Sequence, residues 1–392
     1  MGRELHLLTG LVLFSIWTKE KIHLKLQQMK ILQIYLQLFI TIQNFWGCNM
    51  DFICLDKEYA NPVWLNPVNI QWKARHYECG EFSIQIRTEE YEPEFTYVYC
   101  DEREDMGIIQ SIYQQKTIKG KFTQLSGFFL ERLLHDYRIT ESVSCINKNI
   151  CEYAVEIITK FVDQDEFVID DYSEITDTIT SQITEGYLDN VLFELLKTRK
   201  IAYRIYYDFK NDELHLKFVK GKNRTQSQSE NNTVTFSEEL KNLSNIEYKT
   251  DDSNYKNYAY VTGGDSETEP TKIIVDIRAD GERRKEISVD ASDIKKEEDI
   301  SQSEFEEQLK LRGREELSKY NKIQNITFDV DNSLVKYIED YNRGDMADVI
   351  ISDMQAAYES EIVEVDEVLK ANKHTISLIL GDKIPVKYVR RQ

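Results

Sequence analysis

The sequence predicts a mostly β chain of the α+β class, in which two β-barrel-like domains stand on either side of an α+β insert. Three observations predict it. Apolar and polar residues alternate with period two at both ends of the chain, as in Phe82-Ser-Ile-Gln-Ile-Arg and in Ile323 to Asp329. The 23 tyrosines suit half-buried strands, where the ring packs and the hydroxyl reaches water. Helical periodicity is confined to the middle of the chain and to one segment just after residue 300.

The totals set limits on function. A chain of 392 residues is long enough for two or three domains with their own cores, and 41% hydrophobic residues exclude disorder as its main state. The net charge of −20 argues against binding a phosphate backbone over a broad surface, so no specific nucleic-acid binding is expected. The six cysteines contain no C-x-x-C pair and read as reduced thiols of a protein made in the cytoplasm.

Taken in order, residues 1–49 differ from the rest. Arg3, Lys19, Lys21, Lys25 and Lys30 outnumber Glu4 and Glu20, and Leu5 to Trp17 has the apolar character of a signal peptide without a small-residue cleavage site. Ile31 to Trp46 is apolar but short for a span and interrupted by Gln33, Gln37, Gln43 and Asn44. The segment reads as an extension upstream of a natural start at Met50, with a membrane anchor as the competing reading; no membrane association is expected of residues 50–392.

Residues 50–140 read as the first β-rich domain, with strands at Ile70-Gln-Trp-Lys-Ala-Arg, Phe82 to Arg87 and Phe95 to Cys100, and with Leu125 to Leu134 as a strand end turning into a short helix. Residues 141–233 read as the insert. It carries amphipathic helices at Cys151 to Phe161 and Tyr187 to Lys200 and a hairpin of Ile201 to Tyr207 with Glu213 to Val219. Its low-complexity end, 221–233, is expected to be a flexible loop. Residues 234–392 read as the second β-rich domain. Here Lys272 to Ile277 and Arg284 to Val289 flank Arg278-Ala279-Asp280-Gly281, which predicts a long hairpin, because Asp-Gly supplies the positive φ a tight turn needs. A helix of about two dozen residues is expected from Ser301 or Ser303, with Phe305, Leu309, Gly313 and Leu317 on one face. The last strands are Ile323 to Asp329, Met346 to Ser352, Ile362 to Leu369 and His374 to Leu380.

The residues do not converge on chemistry. His6, His23, His76, His135, His215 and His374 never approach metal-ligand spacing, and no nucleophile elbow, phosphate loop or dinucleotide fingerprint occurs. Asp329, Asp331 and Ser333 open like a calcium loop, but Leu334 stands where glycine is required and Asp340 where a bidentate glutamate belongs. Alternating Asp on a wet strand is the reading adopted. Glu297, Glu298 and Asp299 form an acidic cluster, which reads as a solvated run before a helix. No catalytic residue, metal or cofactor is expected.

Four pieces together carry a resemblance. They are Asn257-Tyr-Ala-Tyr-Val-Thr-Gly263, Arg283 to Asp293 (R-R-K-E-I-S-V-D-A-S-D), Leu309 to Leu317 (L-K-L-R-G-R-E-E-L) and Tyr341-Asn-Arg-Gly-Asp-Met-Ala-Asp-Val349. In order and spacing this sequence resembles the tail hub proteins of siphophages and related prophages, sometimes called ReqiPepy-type, distant relatives of the baseplate hubs of contractile tails. The resemblance runs from about Met50 to Gly381. It implies a structural tail component at the distal end of the tail tube, built as a homotrimer whose paired domains form a pseudo-sixfold ring. The implied partners are tail-tube and distal tail proteins, the tape measure, and tip, spike or receptor-binding proteins; the implied location is the virion tail. Asp280, Gly281, Arg283, Arg284 and Arg312 are the candidate subunit-interface residues, the hairpin for its reach and the arginines for bidentate pairing. The alternatives are a tail-associated cell-wall hydrolase and a carbohydrate- or receptor-binding module; the chain runs only about eleven residues past the last family-like strand, which leaves no space for a fused hydrolase.

Overall fold

The computed structural model describes residues 50–163, 166–183, 185–264, 269–296, 300–351, 356–370 and 373–381. The expectations for residues 1–49 and for the Glu297, Glu298 and Asp299 cluster lie outside the described residues.

Strict alternation builds the N-terminal sheet. β1 (Phe52–Leu55), β2 (Val63–Trp64), β3 (Asn69–Arg75), β4 (Glu81–Arg87), β5 (Tyr97–Cys100), β6 (Met106–Thr117) and β7 (Gly120–Phe129) run in the order β3-β4-β7-β6-β5-β1-β2. Ile70 and Trp72 of β3 stand opposite Ile84 and Phe82 of β4, and all four are buried. Trp72 centres the cluster, with Phe129 of β7 at 4.7 Å and Phe52 of β1 edge-on at 5.4 Å between centroids. Strands β1 and β3 are far apart in the sheet order, so this contact requires the twisted sheet to curl round its own core.

A 3₁₀ turn (Leu130–Asp136) leads from β7 into the middle region, as the sequence predicts. There follow β8 (Arg138–Ile139), β9 (Val143–Asn149), α1 (Ile150–Phe161), β10 (Val168–Ile169), β11 (Thr178–Ile183), β12 (Gly186–Tyr187), α2 (Leu188–Lys197), β13 (Ile201–Asp208) and β14 (Glu213–Lys220). Asn149 starts α1 by accepting hydrogen bonds from the amides of Cys151 and Glu152. Ile157 of α1, Leu192 and Leu196 of α2 and Tyr203 of β13 share one core with Ile53 and Met106 of the N-terminal sheet. The β13–β14 hairpin forms in the expected register.

The C-terminal strands are β15 (Thr235–Ser237), β16 (Leu243–Asp251), β17 (Tyr258–Gly263), β18 (Lys272–Asp276), β19 (Glu286–Ala291), β20 (Ile323–Val330), β21 (Met346–Ile351), β22 (Ala356–Lys370) and β23 (Lys373–Gly381), with α3 (Gln302–Ser318) before β20. Six of them run β15-β21-β22-β23-β20-β16 around Phe236, Phe328, Tyr341 and Leu378. Among the described residues no ladder joins β15 to β16, so pairing does not close the sheet. Asn242 bridges the gap instead, accepting from Ser237 N and donating to Thr235 O. The first half of β22 pairs with β21 and the second half with β23 and with β3. That last pairing fuses both ends of the chain into one 13-stranded sheet.

The hairpin expected across Asp280-Gly281 does not form. Strands β18 and β19 flank β17 on opposite sides, β18 antiparallel and β19 parallel to it. The turn itself is present, with Gly281 at φ 77° and Glu282 N donating to Ala279 O, but the connection crosses the end of β17. Asn257 secures the crossing: it is fully buried, its Oδ1 accepts from Lys285 N and its Nδ2 donates to Arg283 O. A two-stranded ribbon would leave its apolar face bare. The three-stranded order lays Ala259, Val261, Val275, Val289 and Ala291 against Phe305, Leu309 and Leu317 of α3.

Helix α3 is shorter than expected, at 17 residues; Ser301 and Glu304 close a capping box at its start. Gly313 lets it lie directly on the sheet, since a Cβ there would fall 2.6 Å from Val275 Cγ2 and 2.7 Å from Val261 Cγ2. The 221–233 segment is irregular, as expected, and is tethered at its start. Asp345 accepts from Lys222 N and from Arg224 Nε, and Thr225 is fully buried.

Candidate assembly surface

Where β3 meets β22, opposite charges face each other across the ladder. Arg75 bonds Glu364 at 2.9 Å and Glu81 at 2.5 Å, Lys73 lies 3.5 Å from Asp366, and Arg103 grips both oxygens of Glu367 at 2.6 Å. Behind this seam Arg343, from the Tyr341–Val349 piece, donates two hydrogen bonds to Asp105 at 2.9 and 2.5 Å. Arg204 of β13 donates to the carbonyl of His76 and to its Nδ1. A guanidinium only donates, so Nδ1 is the acceptor and the imidazole proton sits on Nε2. Burial, with Arg204 and Arg343 nearby, holds His76 well below the usual histidine range, and burial and then Asp105 push Glu131 up to about 7. These groups bind the three parts of the chain to one another.

The other histidines among the described residues also serve the chain. His135 contacts Asp189, His215 contacts Asp170, and His374 contacts Glu367. Asp329 is engaged by Ser377 and Asn245. Asp331 lies past the end of β20, where it caps a turn through Ser333, so the reading of alternating Asp on one strand holds only for Asp329. Among the described residues no His, Cys, Asp and Glu group is placed to hold a metal, the cysteines are free, and no helix is long and apolar enough to cross a membrane. A groove of about 390 Å³ over the seam is lined by Asn69, Gln71, Ser83, Gln85 and Gln124 among others, with no carboxylate in its wall.

The five candidate interface residues do not gather at one point. Asp280, Gly281, Arg283 and Arg284 are exposed on the crossing beyond β17. Arg284 reaches back to Glu286 at 2.6 Å and stacks over the ring of Tyr258 at 4.9 Å, while Arg278 stacks on the same ring at 5.6 Å. Arg283 makes no side-chain ion pair among the described residues. Arg312, on α3, is spent within the chain on Asp293, at 2.8 Å. Tyr260 and Ile274, opposite each other on the outer face of the β17 sheet, are exposed.

The more prominent surface is one the sequence reading passed over, the β6–β7 hairpin. β5 accompanies β6 only as far as Ile108, with a last bond from Ile109 N to Thr96 O. From Gln110 to Thr117 the edge of β6 has no neighbouring strand among the described residues. Ile112 (45% exposed), Tyr113 (58%) and Ile118 (104%) are bare on this ribbon. Lys116, Lys119 and Lys121 are exposed there and make no ion pair among the described residues. A signal was present in the sequence: no Asp or Glu occurs between Asp105 and Glu131, in a chain of net charge −20.

Residues 167–382, more than half of the chain, match the model of the family described as Siphovirus ReqiPepy6 Gp37-like protein. No curated protein matches the sequence. Among solved structures the fold is similar to that of the tail protein from Neisseria meningitidis MC58, at 12% identity and a TM-score of 0.56 over 86% of this chain and 96% of that one. It is also similar to the 43 kDa tail protein of prophage MuSo2 from Shewanella oneidensis, at 12% identity and a TM-score of 0.55 over 84% and 98% of the two chains. A third likeness is to prophage tail protein gp18 from Listeria monocytogenes EGD-e, at 15% identity and a TM-score of 0.51 over 85% and 94%. At these identities the likeness is one of fold. Together with the family match it leads to one identification: the chain belongs to the Siphovirus ReqiPepy6 Gp37-like family and has the fold of phage and prophage tail proteins.

Proposed function

We propose that this tail component is the hub at the distal end of the tail tube, a homotrimer that works by assembly and not by catalysis. The observation that carries the reading is the family membership. The spending of buried charge on joining the chain's own sheets supports a scaffold over an enzyme, which needs polar groups held free for a substrate. In this reading residues 50–140 and 234–392 supply two hub domains per chain, six per trimer, with residues 141–233 as the insert between them. The partners are tail-tube and distal tail proteins, the tape measure, and tip or receptor-binding proteins. The protein is made in the host cytoplasm and ends in the virion tail. The chain's acidity would keep DNA from adhering to a lumen it lines.

The test is light scattering and electron microscopy of the full chain, alone and with tail-tube protein. Closed trimeric rings in either condition are expected, and a stable monomer in both refutes the hub. Loss of turbidity from host cell walls, abolished by a single Asp or Glu substitution, would establish the hydrolase instead.

A further inference from the structure

The bare β6–β7 ribbon has a counterpart at the other end of the same sheet. The run β16-β20-β23-β22-β3-β4-β7-β6 is continuous, and among the described residues β16 pairs only with β20. One free edge, β6 with its turn, carries Lys116, Lys119 and Lys121 and no acid. The other, from Glu238 to Asp252, carries Glu238, Glu239, Glu247, Asp251 and Asp252 against Lys241 and Lys249; Glu247 pairs with Lys249 at 2.9 Å and Asp252 with Lys285 at 3.0 Å, which leaves the edge acidic in net charge. Leu240 is exposed beside it. The free part of β6, Gln110 to Thr117, and β16, Leu243 to Asp251, each extend for roughly 25–30 Å at the rise of a strand.

Repelling other strands is one role of lysines on a strand edge. That role accounts for the charge but not for Ile112, Tyr113 and Ile118 beside it, which are costly to leave in water. We propose that the β6–β7 hairpin of one copy docks along the acidic β16 edge of a second copy, continuing the sheet from chain to chain. The contact joins two different surfaces head to tail, which is what a closed cyclic ring requires. Main-chain hydrogen bonds along the two edges provide the affinity, and the opposite charges fix the register. The inference rests on the hub reading and names the contact that reading needs.

The test places a photo-cross-linking amino acid at Ile118 in the full chain and mixes ¹⁴N- and ¹⁵N-labelled copies. Mixed-isotope cross-links into Glu238–Asp252 are expected. Cross-links within one copy, including to residues 1–49, or to any other surface overturn the proposal. In parallel, K116E/K119E/K121E is expected to raise the midpoint concentration of assembly about 100-fold with an unchanged melting curve. Adding E238K/E239K/E247K should restore it. If the lysines only guard the edge, K116A/K119A/K121A will strengthen association, and the proposal falls. Rings that persist in the charge-reversed variant defeat this contact and leave the hub standing, whereas a wild-type chain that stays monomeric with tail-tube protein defeats both.

Discussion

Replacing Arg343 by Met measures how far the fold depends on its internal charges. Arg343 and Asp105 are 238 residues apart in sequence, and their side chains are 5% and 6% exposed. Met keeps most of the bulk and removes both donors, at 2.9 and 2.5 Å. The Asp105 carboxylate then stays out of water with no cation bound to it. Breaking a buried pair from one side costs about 3–5 kcal/mol, because desolvation is kept and the attraction is lost. The same change in an exposed pair such as Arg284–Glu286 costs under about 1 kcal/mol. The double variant D105L/R343M leaves no stranded charge and should recover most of the loss. Urea unfolding at pH 7, followed by circular dichroism and by tryptophan fluorescence, gives the three stabilities. A loss under about 1 kcal/mol for R343M, or a double variant no more stable than R343M, refutes the argument.

Three further outcomes follow from the same geometry. Glu131 is raised to about 7 by burial and then by Asp105, so the folded chain holds its proton above the unfolded pKa. Its contribution to stability is complete below about pH 4.5 and is lost as pH rises through 7; E131Q should flatten that fall in urea midpoints between pH 4.5 and 7. Helix propensity favours G313A by about 1 kcal/mol, but the new methyl meets two stiff valines, and overpacking costs about 1–3 kcal/mol, so the variant should melt lower than wild type. N257A removes both side-chain hydrogen bonds that Asn257 makes to the crossing, and hydrogen exchange should show the Lys285 amide losing protection while β13 keeps its own.

What the sequence determined by itself was local. Alternation at Phe82 to Arg87, the amphipathic helix α1, the β13–β14 hairpin and the Ser301 start of α3 all depend on neighbours within a few residues, and all are where the pattern puts them. The four family-like pieces were also legible, and the structure explains three of them as packing. Asn257 locks a crossing, Gly313 admits a helix, and Gly344, at φ 90°, lies so close to His76 that a Cβ would fall 2.3 Å from the ring. Strand partners were not legible. Asp280-Gly281 specifies a turn whether its flanking strands pair with each other or across β17, and the tertiary contacts of α3 and of Asn257 favour the second. The β3–β22 seam joins residues nearly 300 apart, and the bareness of Ile118 depends on where β5 stops accompanying β6. Both are properties of what stands beside a strand, which no repeat within the strand encodes.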